Sequence, residues 1–242
     1  MKRLKHKQTR SCLQVTCAAL RHCVYIFHHR NVTIQAKGSA QGSLSRLSLL
    51  GHDTTASVIS WVLYNLAMHQ EYQDRCRSEI NALLEGRDTE ELMWEDLSNL
   101  TFTTMCIKES MRLHPPVLAL TRYYSQDMNV PGGRTLPEGD ICLISVYGTH
   151  HNPDVWPNPE VYDPMRFDLD NQKQRSPYAF VPFSELYRSE LAMAEIRVVL
   201  ALTLRRFRVL PGSRSPSRLY MLTMRAEGGL PLTLEPLSPA QS

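Results

Sequence analysis

One segment of the sequence, Cys106-Ile-Lys-Glu-Ser-Met-Arg-Leu-His-Pro-Pro116, marks the end of a helix and the charged pair on its surface. Apolar residues recur at helical spacing over residues 100–113, and the two prolines then stop the helix because proline has no backbone N–H to donate. Glu109 and Arg112 lie three positions apart, on one helix face. On an exposed helix such a pair contributes only about 0.2–0.5 kcal/mol, so alone it indicates a surface ion pair.

More helices are predicted on both sides of this segment. Helical patterning begins near Leu47 and runs to Met68, and two further helices are predicted over residues 71–84 and 189–206. Short strands are predicted between and after them, at residues 117–124, 128–130, 140–147, 207–210, 219–224 and 230–234. The proline-rich residues 151–183 predict an ordered meander or a linker. The pattern therefore predicts an α+β fold, mainly α with small β-sheets.

The composition predicts a chain that buries a core, since 43% of the 242 residues are hydrophobic and 21% are charged. A net charge of +3 does not indicate a nucleic-acid partner. The best apolar window, residues 58–68, is too short to cross a membrane, so no transmembrane segment is predicted. Six cysteines occur without a CxxC pair, which favours free thiols over a zinc site or a disulfide scaffold. None of the six follows Cys142.

Charge divides the chain in two. Residues 1–52 contain nine Lys or Arg and no Asp or Glu. Residues 1–50 also show no clean periodicity, and we expect a basic, poorly ordered extension there, followed by one domain over residues 51–242. An arginine-rich, acid-free start is also found in mitochondrial transit peptides, but no amphipathic stripe is sustained.

Two other groups of residues could carry chemistry. In Gly51-His-Asp-Thr-Thr55 the carboxyl of Asp53 adjoins the hydroxyl of Thr54, and such a pair on a bent helix can relay protons. Asp-Thr-Thr is also good N-cap chemistry, so a helix start is the alternative interpretation. His150 and His151 are adjacent, which favours core or solvated histidines over a metal site, and no metal site is predicted.

Read in order, these segments form one pattern. Each is common by itself, but their order and spacing are specific: Gly51-His-Asp-Thr-Thr55, Glu109-x-x-Arg112, Leu113-His-Pro-Pro116, Asp163-Pro-x-Arg-Phe167, Phe180-Val-Pro-Phe-Ser184 and Ala192-Met-Ala-Glu195. The pattern strongly resembles the cytochrome P450 superfamily over residues 51–242. Three stretches resemble its family 4, subfamily F, the fatty-acid and eicosanoid omega-hydroxylases: residues 106–110, 148–153 and 225–229. The resemblance implies the carboxyl-terminal half of the P450 fold.

The same resemblance implies a role for several side chains. Glu109, Arg112 and Arg166 match a buried charge network that joins the helix behind the haem to the meander. Asp53 and Thr54 match the acid–alcohol pair that delivers protons to iron-bound dioxygen. A further match, Arg122, corresponds to a strand arginine that contacts a haem propionate. Haem is thus the implied cofactor, a flavoprotein reductase the implied partner, and the endoplasmic reticulum membrane the implied location.

The sequence departs from the family where the iron ligand should be. The family carries F-x-x-G-x-R-x-C-x-G before its last long helix, whereas here Phe183-Ser184 is followed by Glu185-Leu-Tyr-Arg-Ser-Glu-Leu191. Tyr187 or Glu190 can coordinate iron in principle, but neither donates electrons as a thiolate does. Leu50 stands where many family 4 members have a glutamate that becomes linked to haem. Residues 1–50 do not resemble the family. Our hypothesis is that they were joined to the rest of the chain by a damaged or misspliced gene copy.

Three functions follow as hypotheses. The first is a catalytically inactive descendant of a haem-thiolate monooxygenase that binds no haem. The second is a working monooxygenase that uses another ligand such as Cys142. The third is an interaction protein that competes for the reductase through Arg197, Arg205 and Arg206.

Two further expectations concern the folded protein. Because the family's amino-terminal half and haem are missing, we expect the helix face of Val58, Val62 and Leu66 to stay partly exposed. With no membrane anchor in the sequence, we also expect a cytoplasmic or reticulum-associated protein.

Overall fold

Helices make up most of the computed structural model, which describes residues 14–15, 41–86, 92–183, 188–221 and 223–237, with residues 14–15, 41–52 and 188–189 described by backbone alone. In the described part of the chain the α-helices are α1 (Gln41–Met68), α2 (Gln70–Leu84), α3 (Thr101–Leu113), α4 (Val146–His150), α5 (Leu169–Lys173) and α6 (Arg188–Arg206). The predicted α2, α3 and α6 are each confirmed to within one residue at either end. The mainly α fold with small sheets is therefore confirmed.

Helix α1 begins earlier than its apolar pattern suggested, at Gln41, and it runs unbroken to Met68. The segment from Gly51 to Thr55 consequently lies inside the helix. The helix-start interpretation of Asp53 and Thr54 is wrong, because their backbone is already part of a continuing helix. The boundary expected after residue 50 stays a prediction.

Helix α3 has no capping residue of its own, since Leu100 occupies its N-cap position. Glu79 of α2 supplies the cap instead. Its carboxylate accepts hydrogen bonds from the backbone N–H groups of Phe102 (2.7 Å) and Thr103 (2.9 Å) and from the Thr103 hydroxyl (2.7 Å). Because the first N–H groups of a helix have no partner within it, this contact both caps α3 and fixes it against α2.

The core lies where α1, α3 and α6 meet. Val58, Val62 and Leu66 are each no more than 1% exposed. The expectation that this face would remain partly exposed is wrong. Helices α3 and α6 of the same chain pack against α1 and remove the face from water.

The strands are all short and antiparallel: β1 (Gln14–Val15), β2 (Ala119–Tyr123), β3 (Met128–Val130), β4 (Arg134–Leu136), β5 (Ile141–Ser145), β6 (Phe207–Pro211), β7 (Arg218–Leu219), β8 (Arg225–Ala226) and β9 (Leu230–Pro236). One sheet has the order β1-β9-β6, and β2–β5, β3–β4 and β7–β8 form two-stranded pairs. Residues 219–224 were expected as one strand, but among the described ones Leu219 ends β7, and Thr223 forms an isolated antiparallel bridge with Val117. The backbone of residues 14–15 joins the three-stranded sheet, and the rest of residues 1–40 lies outside the described residues.

The β2–β5 hairpin contrasts with the helical core. Tyr123, Ile141 and Leu143 are 68%, 72% and 68% exposed. These side chains alternate along their strands with Arg122 and Cys142, which are directly paired across the hairpin. The hairpin therefore presents an apolar face to solvent.

The proline-rich residues 151–183 form an ordered meander. It contains two short 3-10 turns, Pro164–Phe167 and Pro177–Ala179, as well as α5. Its central side chain is Trp156, which is fully buried and lies under the Arg175 guanidinium, 4.0 Å from ring centroid to Cζ. Two of its prolines, Pro164 and Pro177, start the 3-10 turns, at positions where a missing N–H is not needed.

Candidate functional site

A buried ion pair lies at the centre of the candidate site. Arg112 donates from Nε to Glu109 Oε2 and from Nη2 to Glu109 Oε1, both at 2.8 Å. Both side chains are 0% exposed. The two parallel bonds form the fork-to-fork geometry that arginine and carboxylate adopt when they bind most strongly. The surface ion-pair interpretation of these residues is therefore wrong.

The same guanidinium binds the meander. Arg112 Nη1 donates to the carbonyl oxygens of His150 (3.0 Å) and Pro159 (2.7 Å), and Nη2 donates to that of Val161 (3.2 Å). All five bonds thus run to groups of this chain. Glu109 Oε1 accepts a further bond from the Asp163 backbone N–H at 3.0 Å.

Arg166 completes the group at longer range. Its Nε lies 3.5 Å from Glu109 Oε1, an ion pair without hydrogen-bond geometry. Its Nη2 donates to the carbonyl oxygen of Asn158 at 3.1 Å, where the backbone is left-handed with φ +52°. The structure therefore brings together all three residues expected in the network, with Arg112 as the stronger partner of Glu109.

Opposing effects act on the Glu109 carboxyl. Burial raises the pKa of Glu109, while the Arg112 fork, the Asp163 N–H and the Arg166 charge lower it. The group is buried, so the arginine bonds are what make a charge acceptable there.

His150 is a member of the site that the sequence did not reveal. Its Nε2 accepts a hydrogen bond from the Val181 backbone N–H at 3.0 Å, and its ring stacks on Phe180, 5.1 Å between centroids. It is 0% exposed, which confirms the core interpretation. Burial is the main cause that lowers the pKa of His150, and the charges of His151 and Arg112 lower it further, to about 3. The neutral His150 ring therefore holds Val181, near the end of the meander, through this hydrogen bond.

The expected acid–alcohol pair lies elsewhere, on α1. Asp53 Oδ2 lies 2.6 Å from Arg225 Nη2 of β8, with the Asp53 and Arg225 side chains 17% and 41% exposed. Thr54 follows it and is half-buried. One turn further on, the Ser57 hydroxyl donates to the carbonyl oxygen of Met224. The carboxyl-terminal hairpin is thus attached to α1 at this point.

Arg122 is set apart from both groups. It lies on β2, is exposed, and donates from Nη1 to the carbonyl oxygen of Thr121 at 3.0 Å. The hairpin geometry places its backbone opposite Cys142.

Comparisons with known proteins agree with this arrangement. The family model described as cytochrome P450 matches residues 41–230, most of the chain. The chain belongs to the cytochrome P450 family. The match begins at residue 41, which is also where α1 begins.

Subfamily F members are similar to this P450 chain in sequence. It is 61% identical over 192 residues to human cytochrome P450 4F2, covering 78% of this chain and 37% of that protein. It is 60% identical to mouse leukotriene-B4 omega-hydroxylase 3, with the same two coverages. The chain thus spans less than two-fifths of the length of these relatives.

Solved structures show the same fold. The crystal structure of a cytochrome P450 named CYP102L1 matches with a TM-score of 0.75 at 20% identity, covering 91% of this chain and 55% of that one. The P450DA haem domain matches with a TM-score of 0.70 at 22% identity, covering 78% and 42%.

Haem in a P450 needs a cysteine thiolate, and the donors of this chain do not fit that need. Cys76 and Cys106 are buried between α2 and α3 with their sulfurs 3.7 Å apart, and burial raises the pKa of Cys106 well above its usual range. Cys142 is half-buried on the hairpin. These three are free thiols, as predicted; Cys12, Cys17 and Cys23 lie outside the described residues.

The remaining candidate ligands do not supply the missing donor. Tyr187 lies outside the described residues, and Glu190 is exposed at the start of α6. Within the ranges that the structure describes, no three His, Cys, Asp or Glu side chains are grouped as a metal site. A haem-thiolate centre therefore does not fit the residues that the structure describes.

The arginines expected at a reductase surface do not form a single exposed patch. Arg197 is half-buried and donates from Nε to the Thr104 hydroxyl at 2.8 Å. Arg205 is also half-buried, and Arg206 is exposed. Among the helices of the described ranges, none is both long and apolar enough to cross a membrane.

Proposed function

We propose that this chain is a non-catalytic member of the P450 family, descended from omega-hydroxylases of subfamily F. The descent is supported by about 60% identity to relatives of which one is named as a leukotriene-B4 omega-hydroxylase. The absence of a haem activity is supported by one observation above all. No cysteine follows Cys142, so the segment before α6 has no thiolate to offer.

The thiolate matters because its electron donation drives cleavage of the O–O bond. A tyrosine or glutamate oxygen in its place would leave the iron without that donation. Asp53, the acid matched to proton delivery, is instead paired with Arg225 in an ion pair that joins α1 to β8. In this proposal Asp53 has a structural role.

The buried network of Glu109, Arg112 and Arg166 remains because it supports the fold. Its bonds run between α3 and the meander and require no haem atom. We therefore propose that these three residues stabilise this chain in the absence of any cofactor.

A haem titration of the purified full chain tests the proposal. We expect no Soret band typical of thiolate ligation and no carbon-monoxide difference peak of the thiolate type. The matched control replaces residues 184–191 with the residues that follow the phenylalanine in the family loop pattern F-x-x-G-x-R-x-C-x-G, with Phe183 as that phenylalanine. Appearance of the thiolate peak only in this control would attribute the loss to the loop, while a thiolate peak in the unaltered chain would refute the proposal.

A second candidate function is binding of a flavoprotein reductase in competition with intact P450 enzymes. The exposed Arg206, next to Arg205 at the end of α6, supports it, whereas the half-buried Arg197 contributes less. A salt-sensitive pull-down of reductase that is weakened by Arg206→Glu would support this function. Equal capture by the Arg206→Glu variant, or no capture at low ionic strength, would count against it.

A further inference from the structure

A serine-rich segment joins β6 to β7, with the sequence Gly212-Ser-Arg-Ser-Pro-Ser217. Ser213, Ser215 and Ser217 are all exposed. Ser215 is followed directly by a proline and, three positions further on, by Arg218. The three serines belong neither to the buried charge network nor to the contact between α1 and β8.

The residues that alternate with these serines contact the rest of the protein. Arg214 donates from Nη2 to the carbonyl oxygen of Gly228 at 3.0 Å, and Arg218 Nη2 pairs with Glu160 at 3.1 Å. Pro216, between the two arginines, is half-buried. In an extended chain successive side chains point to opposite sides. The contacts on one side therefore leave the serine hydroxyls on the side that faces solvent.

The backbone of this segment is available as well. Its two ends are held by backbone hydrogen bonds of 2.9 Å, to Pro231 and to Glu227. Between these bonds, no hydrogen bond joins the backbone of residues 213–216 to another residue that the structure describes. The proline that follows Ser215 favours an extended conformation at the serine. An enzyme that binds its substrate as an extended peptide can thus pair with this segment in the folded chain.

The charge of the surrounding sequence favours an added anion. Residues 196–226 contain seven arginines and no Asp or Glu. Carboxylates from other parts of the fold that reach this stretch are paired with its arginines: Asp53 with Arg225, Asp74 with Arg208 and Glu160 with Arg218. A phosphoserine carries a charge of about −1.5 to −2 at neutral pH. At Ser215 that charge enters a stretch in which positive charge predominates.

We propose that Ser215 is the substrate of a proline-directed serine kinase that also recognises a basic residue three positions after the serine. Ser215 Oγ attacks the γ-phosphorus of ATP and the bond to the β,γ-bridging oxygen breaks. The hydroxyl proton passes to the catalytic aspartate of the kinase, and ADP leaves. A proline suits a kinase subsite that has no acceptor for a backbone N–H, and the Arg218 guanidinium suits an acidic subsite. The site involves no haem and does not depend on the proposed loss of catalysis.

Two other serines of the chain precede a proline and act as internal controls. Ser176 and Ser238 are followed, three positions later, by the uncharged residues Ala179 and Gln241. The Ser176 hydroxyl also accepts a hydrogen bond at 3.3 Å from the backbone of the 3-10 turn that it caps. Ser238 lies outside the described residues. We therefore expect phosphate to enter at Ser215 faster than at either control serine.

Phosphorylation of the purified full chain by a cyclin-dependent kinase with magnesium ATP tests the site, with the modified residue located by mass spectrometry. We expect Ser215→Ala to reduce incorporation of phosphate at least about tenfold. The matched control Ser176→Ala should leave incorporation unchanged. Equal incorporation in Ser215→Ala and the unaltered chain, or equal rates at Ser215 and Ser176, would overturn the proposal.

Arginine variants test recognition of the third position. We expect Arg218→Gln to lower kcat/KM at Ser215 about tenfold, because a charge-assisted contact with the kinase is lost, and Arg218→Lys to recover most of it. The matched control Arg214→Gln removes the arginine before Ser215 and should change kcat/KM less than about twofold. Equal effects of Arg218→Gln and Arg214→Gln would contradict the assigned role of Arg218.

A variant outside the segment covers the case in which Arg218→Gln fails to fold. Glu160→Gln removes the carboxylate that pairs with Arg218, and exposed ion pairs of this kind contribute little to stability. The guanidinium is then more available to the kinase, so we expect kcat/KM at Ser215 to rise about twofold. An unchanged or lower value in Glu160→Gln would count against recognition of Arg218.

Discussion

Two arginines that match the family pattern, Arg112 in the charge network and Arg122 at a haem propionate, have very different surroundings in the structure. Arg112 is 0% exposed and donates five hydrogen bonds, two to Glu109, two to meander carbonyls and one to the carbonyl of His150 at the end of α4. Arg122 is exposed on β2, beside the exposed apolar side chains of Tyr123 and Leu143. The side chain of Arg112 is buried, whereas that of Arg122 is exposed.

The difference distinguishes family residues whose partners belong to this chain from family residues whose partner is the haem. The partners of Arg112 are all supplied by α3, α4 and the meander, so its geometry is complete without a cofactor. The role matched to Arg122 is contact with a haem propionate, which depends on a group outside the polypeptide. A chain can therefore lose its iron ligand and keep the network, because the network is part of the fold.

The largest expected effect comes from breaking the network at its centre. We predict that Arg112→Met lowers the free energy of unfolding by about 3–5 kcal/mol, because it leaves the Glu109 carboxylate buried without its main partner. The change also leaves three carbonyl oxygens without their donor. Urea unfolding monitored by circular dichroism measures it.

A double variant separates the loss of the ion pair from the cost of leaving the Glu109 carboxylate buried without its partner. In Glu109→Leu/Arg112→Met no charge is left behind by that pair, and we expect part of the stability to return, since apolar replacement of a buried pair is often tolerated. A loss in Arg112→Met below about 1 kcal/mol would show that water reaches the site and that the network is not the stabilising element described.

An intermediate effect is expected from pH, through His150. The folded pKa is about 3 and the ordinary value is 6.5, so between these values the unfolded chain binds the proton and the folded chain does not. Stability conferred by the neutral ring is therefore present above the unfolded pKa and falls as pH falls. Between about pH 7 and about pH 5 we predict a loss of about 2 kcal/mol from this residue.

The variant His150→Gln isolates that contribution. Its amide oxygen can still accept from Val181 N–H, but it does not titrate, so the loss on acidification should be about 2 kcal/mol smaller than in the unaltered chain. His114 acts in the same direction because burial also lowers its pKa, and Glu109 acts in the opposite direction. Both remain in the variant, so identical pH slopes would contradict the assignment to His150.

The smallest effect on stability is expected from substitutions in the β2–β5 pair. We predict that Arg122→Met and Leu143→Thr each change the free energy of unfolding by no more than about 0.5 kcal/mol, as is usual for exposed positions. Leu143→Thr should also reduce binding of a hydrophobic dye, because the side chain is 68% exposed. A destabilisation of Arg122→Met as large as that of Arg112→Met would remove the distinction between the two regions.

Much of this molecule could be predicted from its sequence. The bounds of α2, α3 and α6 follow from apolar spacing and from Pro115 and Pro116. The convergence of Glu109, Arg112 and Arg166 followed from motif order, which indicates positions in a known fold. Local apolar patterns are properties of the sequence itself, whereas the convergence of the three charged residues followed from the resemblance to the family.

What could not be predicted depends on contacts between distant segments. The cap of α3 comes from Glu79, 23 positions before Phe102, so no capping signal stands next to the helix. The bond from Val181 N–H to His150 likewise spans 31 positions. The predicted exposure of the α1 face was wrong, because α3 and α6, which are distant from it in sequence, cover that face.

The attachment of α1 to the carboxyl-terminal hairpin also sets an order of events at the ribosome. Asp53 and Arg225 are 172 positions apart, and Ser57 and Met224 are 167 apart. At roughly 5–20 residues per second, synthesis of the partner follows that of α1 by about 10–30 s. During that interval the β7–β8 pair is not yet available to bind α1. The contact between α1 and the β7–β8 pair can therefore form only after residue 225 has been synthesised.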